Sequence, residues 1–163
     1  MSANLDTASQ AERLRSAVHL RSMQLRDVAQ VMSIEKQAYA FPWTQGNFVD
    51  SLASGYGAEV GVAHGELVAY FLTMPVFDEL HLLNITVAPL YQGRGLGRWL
   101  LSQVQVHAVS AGAASLWLEV RPSNVNAIAL YESAGFAQVG KRPNYYPAPG
   151  GMREDALLLK QFL

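Results

Sequence analysis

Apolar positions repeat along this chain with two periods, about 3.6 residues and two. Val18–Arg21 is a short apolar piece that reads as an edge strand. Leu25, Val28, Met32 and Glu35 follow at helical spacing, which predicts an amphipathic helix over Gln24–Tyr39. Phe41-Pro42-Trp43-Thr44 breaks it, and Thr44 is placed to cap a second short helix through about Ser54. Ala58–Ala63 and Leu67–Met74 have strand composition and flank His64-Gly65, a hairpin signal. Asp78-Glu79 marks another turn, and Leu80–Val87 is a strongly apolar strand ended by Ala88-Pro89.

Further along, a helix over about Gly95–Ser110 places Leu96, Leu100, Val104 and Ala108 on one face, and Ala111-Gly112 stops it. Leu116–Arg121 alternates, with Leu116, Leu118 and Val120 on one side and Trp117, Glu119 and Arg121 on the other. Ser123 or Asn124 caps a helix ending at Gly135. Phe136–Lys141 and Asp155–Phe162 are the last strands, with Asn144–Gly151 predicted as a loop between them. The pattern describes one α/β domain with mixed strand pairing, without repeat, low-complexity tract or linker. The polar leader, residues 1–17, is expected to be mobile or a short helical extension of the domain at 18–163.

Composition narrows the function. A length of 163 residues suits one domain with a real core, and an apolar half with 15% charged residues describes a compact chain rather than a disordered one. A net charge of −1 gives no global pull toward nucleic acid or an anionic membrane. Cysteine is absent, which excludes a thiol nucleophile, a disulfide and thiolate-ligated zinc. His19, His64, His81 and His107 are scattered without H-E-x-x-H spacing, so no metal site is expected. No apolar run reaches the roughly 18 residues of a membrane span, and the leader lacks a signal-peptide core.

Gly93, Gly95 and Gly97 alternate with Arg94, Leu96 and Arg98 just before the central helix. Inside a helix each glycine would cost about 0.8–1.0 kcal/mol relative to alanine. As a loop, the same residues present successive N–H groups at a helix N-terminus, an anion site suited to a diphosphate. The alternative is a plain glycine-rich turn. A P-loop is excluded, since no Lys-Ser/Thr pair follows. The dinucleotide fingerprint fails in spacing, although Glu119 on the next strand keeps a nucleotide-binding reading open.

Gln92-Gly93-Arg94-Gly95-Leu96-Gly97, between strand and helix, resembles the coenzyme A loop of the GCN5-related N-acetyltransferases. "FPWT", "LWLEVRPSNVNAIALYESAGF" and "NYYP…REDA" extend the resemblance, over about Val18–Leu159, to the bacterial ribosomal-protein alanine N-acetyltransferases. The resemblance implies a mixed, mostly antiparallel sheet flanked by about four helices. Its central strands, Leu80–Val87 and Leu116–Arg121, splay to admit acetyl-CoA. It further implies that Ile85, Thr86 and Val87 offer exposed backbone to the pantetheine. Residues 92–98 (Gln92, Gly93, Arg94, Gly95, Leu96, Gly97 and Arg98) hold the pyrophosphate, and Asn124 and Tyr131 lie beside it.

Acetyl transfer needs an uncharged amine, and a free α-amine with a pKa of about 7.7–8.0 is mostly charged at neutral pH. The resemblance makes Glu119 the base, with partial burial expected to raise its pKa, and Tyr131 the acid for the departing thiolate. The structural alternatives are a carboxylate paired with Arg121 or another cation, and a packed tyrosine. Phe41, Trp43, Tyr145 and Tyr146 are candidates for the walls of an acceptor groove, and Asp78 and Glu79 for attracting a basic peptide; loop packing and a solvated turn are the alternatives. The implied acceptor is the N-terminal alanine of a small-subunit ribosomal protein, number eighteen, and the implied enzyme is a cytoplasmic monomer without nucleic-acid or membrane contact. A lysine or small-amine acetyltransferase, or a non-catalytic coenzyme A or nucleotide module, are the other readings.

Overall fold

The computed structural model describes residues 2–163, with side chains from position 6 onward. Its elements are α1 (Ser2–Ala17), β1 (His19–Ser22), α2 (Val28–Ala38), α3 (Gln45–Ala53), β2 (Gly57–Ala63), β3 (Glu66–Val76) and β4 (Glu79–Val87). There follow α4 (Leu96–Ser110), β5 (Ser115–Val120), α5 (Val125–Ser133), β6 (Ala137–Pro147) and β7 (Arg153–Phe162). Seven strands form one sheet in the order β1-β2-β3-β4-β5-β7-β6. This is the α/β class read from the sequence, with five helices rather than about four, because the polar leader is itself α1. None of the described helices is long and apolar enough to cross a membrane.

Two compact units share the sheet. One runs to Leu72 and takes in Asn84–Leu100. Here β1 pairs antiparallel with β2, from His19↔Val62 to Ser22↔Glu59, so the predicted edge strand is at the edge. His64 and Gly65 both have positive φ, 51° and 81°, as a two-residue hairpin turn that matches strand twist requires. Helix α2 buries Val28, Val31, Ile34 and Glu35, and Phe48 from α3 is fully buried. Thr44 caps α3 as predicted: its Oγ1 accepts from the Asn47 N–H, and Asn47 Oδ1 accepts from the Thr44 N–H in return.

The other unit holds Thr73–Leu83 and everything from Leu101 onward. Strand β4 runs parallel to β5 from Glu79↔Ser115 to Leu82↔Leu118. Strand β7 lies antiparallel between β5 and β6. Leu80, Leu82, Leu116, Leu118, Ala156 and Leu159 are buried.

Two elements differ from the sequence reading. The first turn of the predicted helix over Gln24–Tyr39 is a 3₁₀ turn, Leu25–Asp27, and α2 begins at Val28. The Asp27 carboxylate accepts from the Gln24 N–H and from Arg21, and this local capping competes with regular helix. The predicted loop Asn144–Gly151 is largely strand: β6 continues to Pro147. The proline- and asparagine-rich sequence signals irregularity, but an edge strand accommodates it by shifting register between Arg142 and Tyr146.

The bond from Arg21, followed by that from Gln24, holds the buried Asp27 carboxyl below the usual carboxylate range, against the opposing effect of burial. A lowered folded pKa stabilises above the unfolded pKa and is lost as pH falls through the folded value. Asp27→Asn is therefore expected to lower the urea midpoint at pH 7. The gap to wild type should close as pH falls below about 4. Parallel midpoint curves over that range would exclude this linkage.

Candidate active site

Only the first part of the expected glycine loop is loop: Leu96, Gly97 and Arg98 already lie in the first turn of α4, while Gly93 and Gly95 make the turn into it. Gly93 and Gly95 have φ of 75° and 77°, where an L side chain is strained, and a Cβ on either would meet no atom within 4 Å. The Trp99 N–H donates to Gly95 O at 3.2 Å, so Gly95 stands at the N-cap of α4. Gln92 does not extend outward. Its Nε2 donates to Val87 O at 2.9 Å and ties the loop to the end of β4. Leu96 is buried, so any part it plays in anion binding falls to its backbone. Arg94 lies 5.9 Å from the Tyr91 ring centroid. The open, bare backbone at a helix start fits a diphosphate.

Ile85 and Val87 were expected to offer free backbone. Both carbonyls already accept a side-chain donor: Tyr39 Oη gives its proton to Ile85 O at 3.0 Å, and Gln92 serves Val87 O. Each carbonyl keeps a second lone pair. The Thr86 side chain is buried, 2.8 Å from both Tyr39 Oη and Asn84 Oδ1. Burial, ahead of the nearby Glu35 charge, pushes the Tyr39 hydroxyl up to about 12, so it remains a donor at neutral pH.

The acceptor-wall candidates on this unit part ways. Phe41 is exposed, whereas Trp43 packs on Phe48 with ring centroids 5.1 Å apart. The Trp43 N–H donates to Glu35 Oε1 at 3.0 Å.

On the other unit, Glu119 projects from β5 with its side chain 28% exposed, and its Oε1 lies 3.2 Å from Arg142 Nε. The expected alternative partner, Arg121, instead bonds Glu154 at 2.9 Å and Pro147 O. This bond holds the Glu154 carboxyl below its ordinary range. Arg121 lies over the Tyr146 ring at 4.4 Å, Arg142 over Tyr145 at 5.4 Å, and the two rings meet edge to face at 5.0 Å. Glu119, Tyr145 and Tyr146 therefore share one cluster. Burial first, then the Glu119 charge, pushes the Tyr146 hydroxyl up to about 12.

The cluster is held by the register shift in β6. Asn144 adopts φ 50°, its N–H donates to Asp155 Oδ1 at 2.9 Å, and Arg153 donates to the carbonyls of Asn144 and Tyr145. Asn124 is the N-cap of α5, with Oδ1 accepting from the Ala127 N–H. Tyr131 is buried against Phe136. Asp78 is exposed at a turn, while Glu79 lies in β4, 2.9 Å from His81 Nε2.

The Acetyltransferase (GNAT) family model matches residues 28–136. The chain belongs to the GNAT acetyltransferase family. It is 42% identical over 140 residues to the ribosomal protein bS18-alanine N-acetyltransferase of Escherichia coli K12, covering 86% of this chain and 94% of that one. The crystal structure of the Escherichia coli ribosomal-protein-S18-alanine N-acetyltransferase superposes with TM-score 0.83 at 41% identity, over 89% of this chain and 93% of that one. A Salmonella typhimurium structure, yncA with its cofactor acetyl-CoA, shares the fold at TM-score 0.72 and 22% identity, over 90% of this chain and 94% of that one.

Within this GNAT chain the sequence reading passed over Tyr39, Asn84, Arg142 and Glu154. It placed Glu35 only as one position of a helical stripe. Glu35 did leave a signal, a charge on the apolar face of a predicted helix. The others become partners only through register and strand order.

The Arg153 bonds hold the irregular backbone at Tyr145. Arg153→Ala is expected to speed amide hydrogen exchange across residues 143–147 while the melting temperature changes little, since one such bond contributes about 0.5–1.5 kcal/mol. Unchanged exchange there would show that the bend holds itself.

Proposed function

We propose that this GNAT enzyme transfers acetyl from acetyl-CoA to the N-terminal alanine of a ribosomal protein like bS18. Its likeness to bS18-alanine N-acetyltransferases extends over most of the chain. The observation that carries the chemistry is Glu119, a strand carboxylate already paired with a cationic nitrogen at 3.2 Å. A peptide α-ammonium has the same charge and can replace the Arg142 guanidinium there. Arg142 is itself about 56% exposed and free to swing into water.

In this reading the pyrophosphate of acetyl-CoA lies on the amides of residues 93–98, and the pantetheine runs along Ile85–Val87 as an added strand would. That path requires β4 and β5 to part beyond Leu82 and Leu118. Glu119 takes a proton from the ammonium, directly or through a water. The freed lone pair attacks the thioester carbonyl carbon, the C–S bond breaks, the Tyr131 hydroxyl protonates the departing thiolate, and the second proton on nitrogen returns through water to the tyrosinate as the amide forms. A backbone N–H of β4 polarises the carbonyl. Asn124 Nδ2 steadies the donor, while Tyr145, Tyr146, Phe41 and Trp43 line the path of the acceptor. Asp78 and Glu79 favour a basic segment following the alanine. Such an acceptor places the enzyme in the cytoplasm, where ribosomal proteins are made.

With acetyl-CoA and a peptide beginning in alanine, mass spectrometry is expected to show one acetyl on the free N-terminus. An N-blocked peptide with an internal lysine should show none. Acetyl-lysine, or no product at all, would reject the acceptor assignment. Glu119→Gln should lower kcat by about 10²–10⁴-fold with the KM for acetyl-CoA little changed. Gly95→Ala, strained at φ 77°, should instead weaken coenzyme A binding, read by calorimetry. A Glu119→Gln variant with full turnover would remove Glu119 from the reaction.

A further inference from the structure

Glu35 is 1% exposed, and none of its recorded partners is a cation. Its carboxylate is instead surrounded by neutral donors from three parts of the chain. Trp43 N–H, in the segment after α2, donates to Oε1 at 3.0 Å. The Tyr70 hydroxyl of β3 donates to Oε2, and Asn84 Nδ2 of β4 reaches both oxygens at 3.3 and 3.4 Å. Burying a carboxylate is costly unless such bonds replace its water. A leucine or methionine would fill this position in the helical stripe at less cost to the core.

The bonds continue beyond Glu35. Asn84 Oδ1 accepts from Thr86 Oγ1, which neighbours Tyr39 Oη, and Tyr39 reaches Ile85 O. A parallel apolar path closes the ring: Trp43 packs on Phe48, and Phe48 meets Tyr70 edge to face at 5.8 Å. Trp43 is thereby fixed twice, by its backbone to Glu35 and by its ring to Phe48. One end of the network is the segment Phe41–Thr44 and the other is Ile85 on β4.

We propose that Glu35 is a positioning residue that sets acceptor binding by clasping the Trp43 backbone to β4 through Asn84. The proposal rests on the reading that Phe41 and Trp43 line the acceptor path. Glu35 touches neither substrate. It fixes where the wall stands relative to Ile85–Val87, and an N-terminal residue as small as alanine leaves little tolerance for a displaced wall.

The test compares Glu35→Ala, Glu35→Gln and Tyr70→Phe, each checked for folding by circular dichroism. Amide exchange of residues 40–48 reports the clasp without reference to activity. Steady-state kinetics on the alanine peptide report its effect. Glu35→Ala should lose protection at Trp43 and raise acceptor KM about tenfold or more, with the KM for acetyl-CoA within about twofold. Glu35→Gln keeps an oxygen for the Trp43 N–H and should recover part of that loss. Tyr70→Phe removes a donor but leaves the Trp43 bond, so it should lower the melting temperature with acceptor KM nearly unchanged. Protected exchange in Glu35→Ala, or lost protection with unchanged acceptor KM, overturns the proposal. So does an equal rise in acceptor KM for Tyr70→Phe, which would mark a general loss of stability. Failure of wild type on the alanine peptide would instead reject the acceptor reading, and the exchange result would still judge the clasp.

Discussion

One constraint organises the chain: β4 and β5 run parallel in a sheet whose other recorded strand pairs are antiparallel. Parallel neighbours cannot be joined by a tight turn and need a crossover of a dozen or more residues. Here the crossover is the glycine loop with α4. It sets the N-terminus of α4, the positive end of the helix dipole, just past the end of an apolar strand. Gly93 and Gly95 supply the positive φ that the turn into the helix demands. Strand β5 then carries Glu119 on the face opposite Leu116, Leu118 and Val120, as alternation dictates.

The sequence was most legible where one local rule acts alone. Thr44 and Asn47 stand at capping-box spacing, His64-Gly65 has the composition of a two-residue hairpin, and α4 shows an uninterrupted apolar stripe. It was least legible where two rules compete. Asp27 suits both a helix interior and a local cap, and the cap prevails because Arg21 joins it. Asn144 and Pro147 both read as loop, and Asn144 has a loop-like φ of 50°. Pairing with β7 nevertheless keeps them in the sheet. No local rule specifies that Glu119 meets Arg142 rather than Arg121, since that depends on which strand ends up beside β7.

Glu119 and Glu35 differ in environment. Glu119 is partly solvated and faces one exposed cation, the Arg142 guanidinium. Glu35 is enclosed by hydrogen-bond donors fixed on packed elements, so it can anchor but has no room to exchange. Two residues of the same charge thus sit in opposite surroundings, one open to solvent and one closed by fixed donors.

The bend in β6 has a consequence for how copies of this chain meet. Strand β6 is the outer strand of the sheet, and an outer strand with a straight, unpaired backbone invites another molecule to add to it. Lys141, Arg142, Pro143 and Pro147, together with two register shifts, deny that template. The same irregularity that sets the backbone at Tyr145 therefore also guards against strand addition. Straightening this strand would expose an edge on which further copies could add.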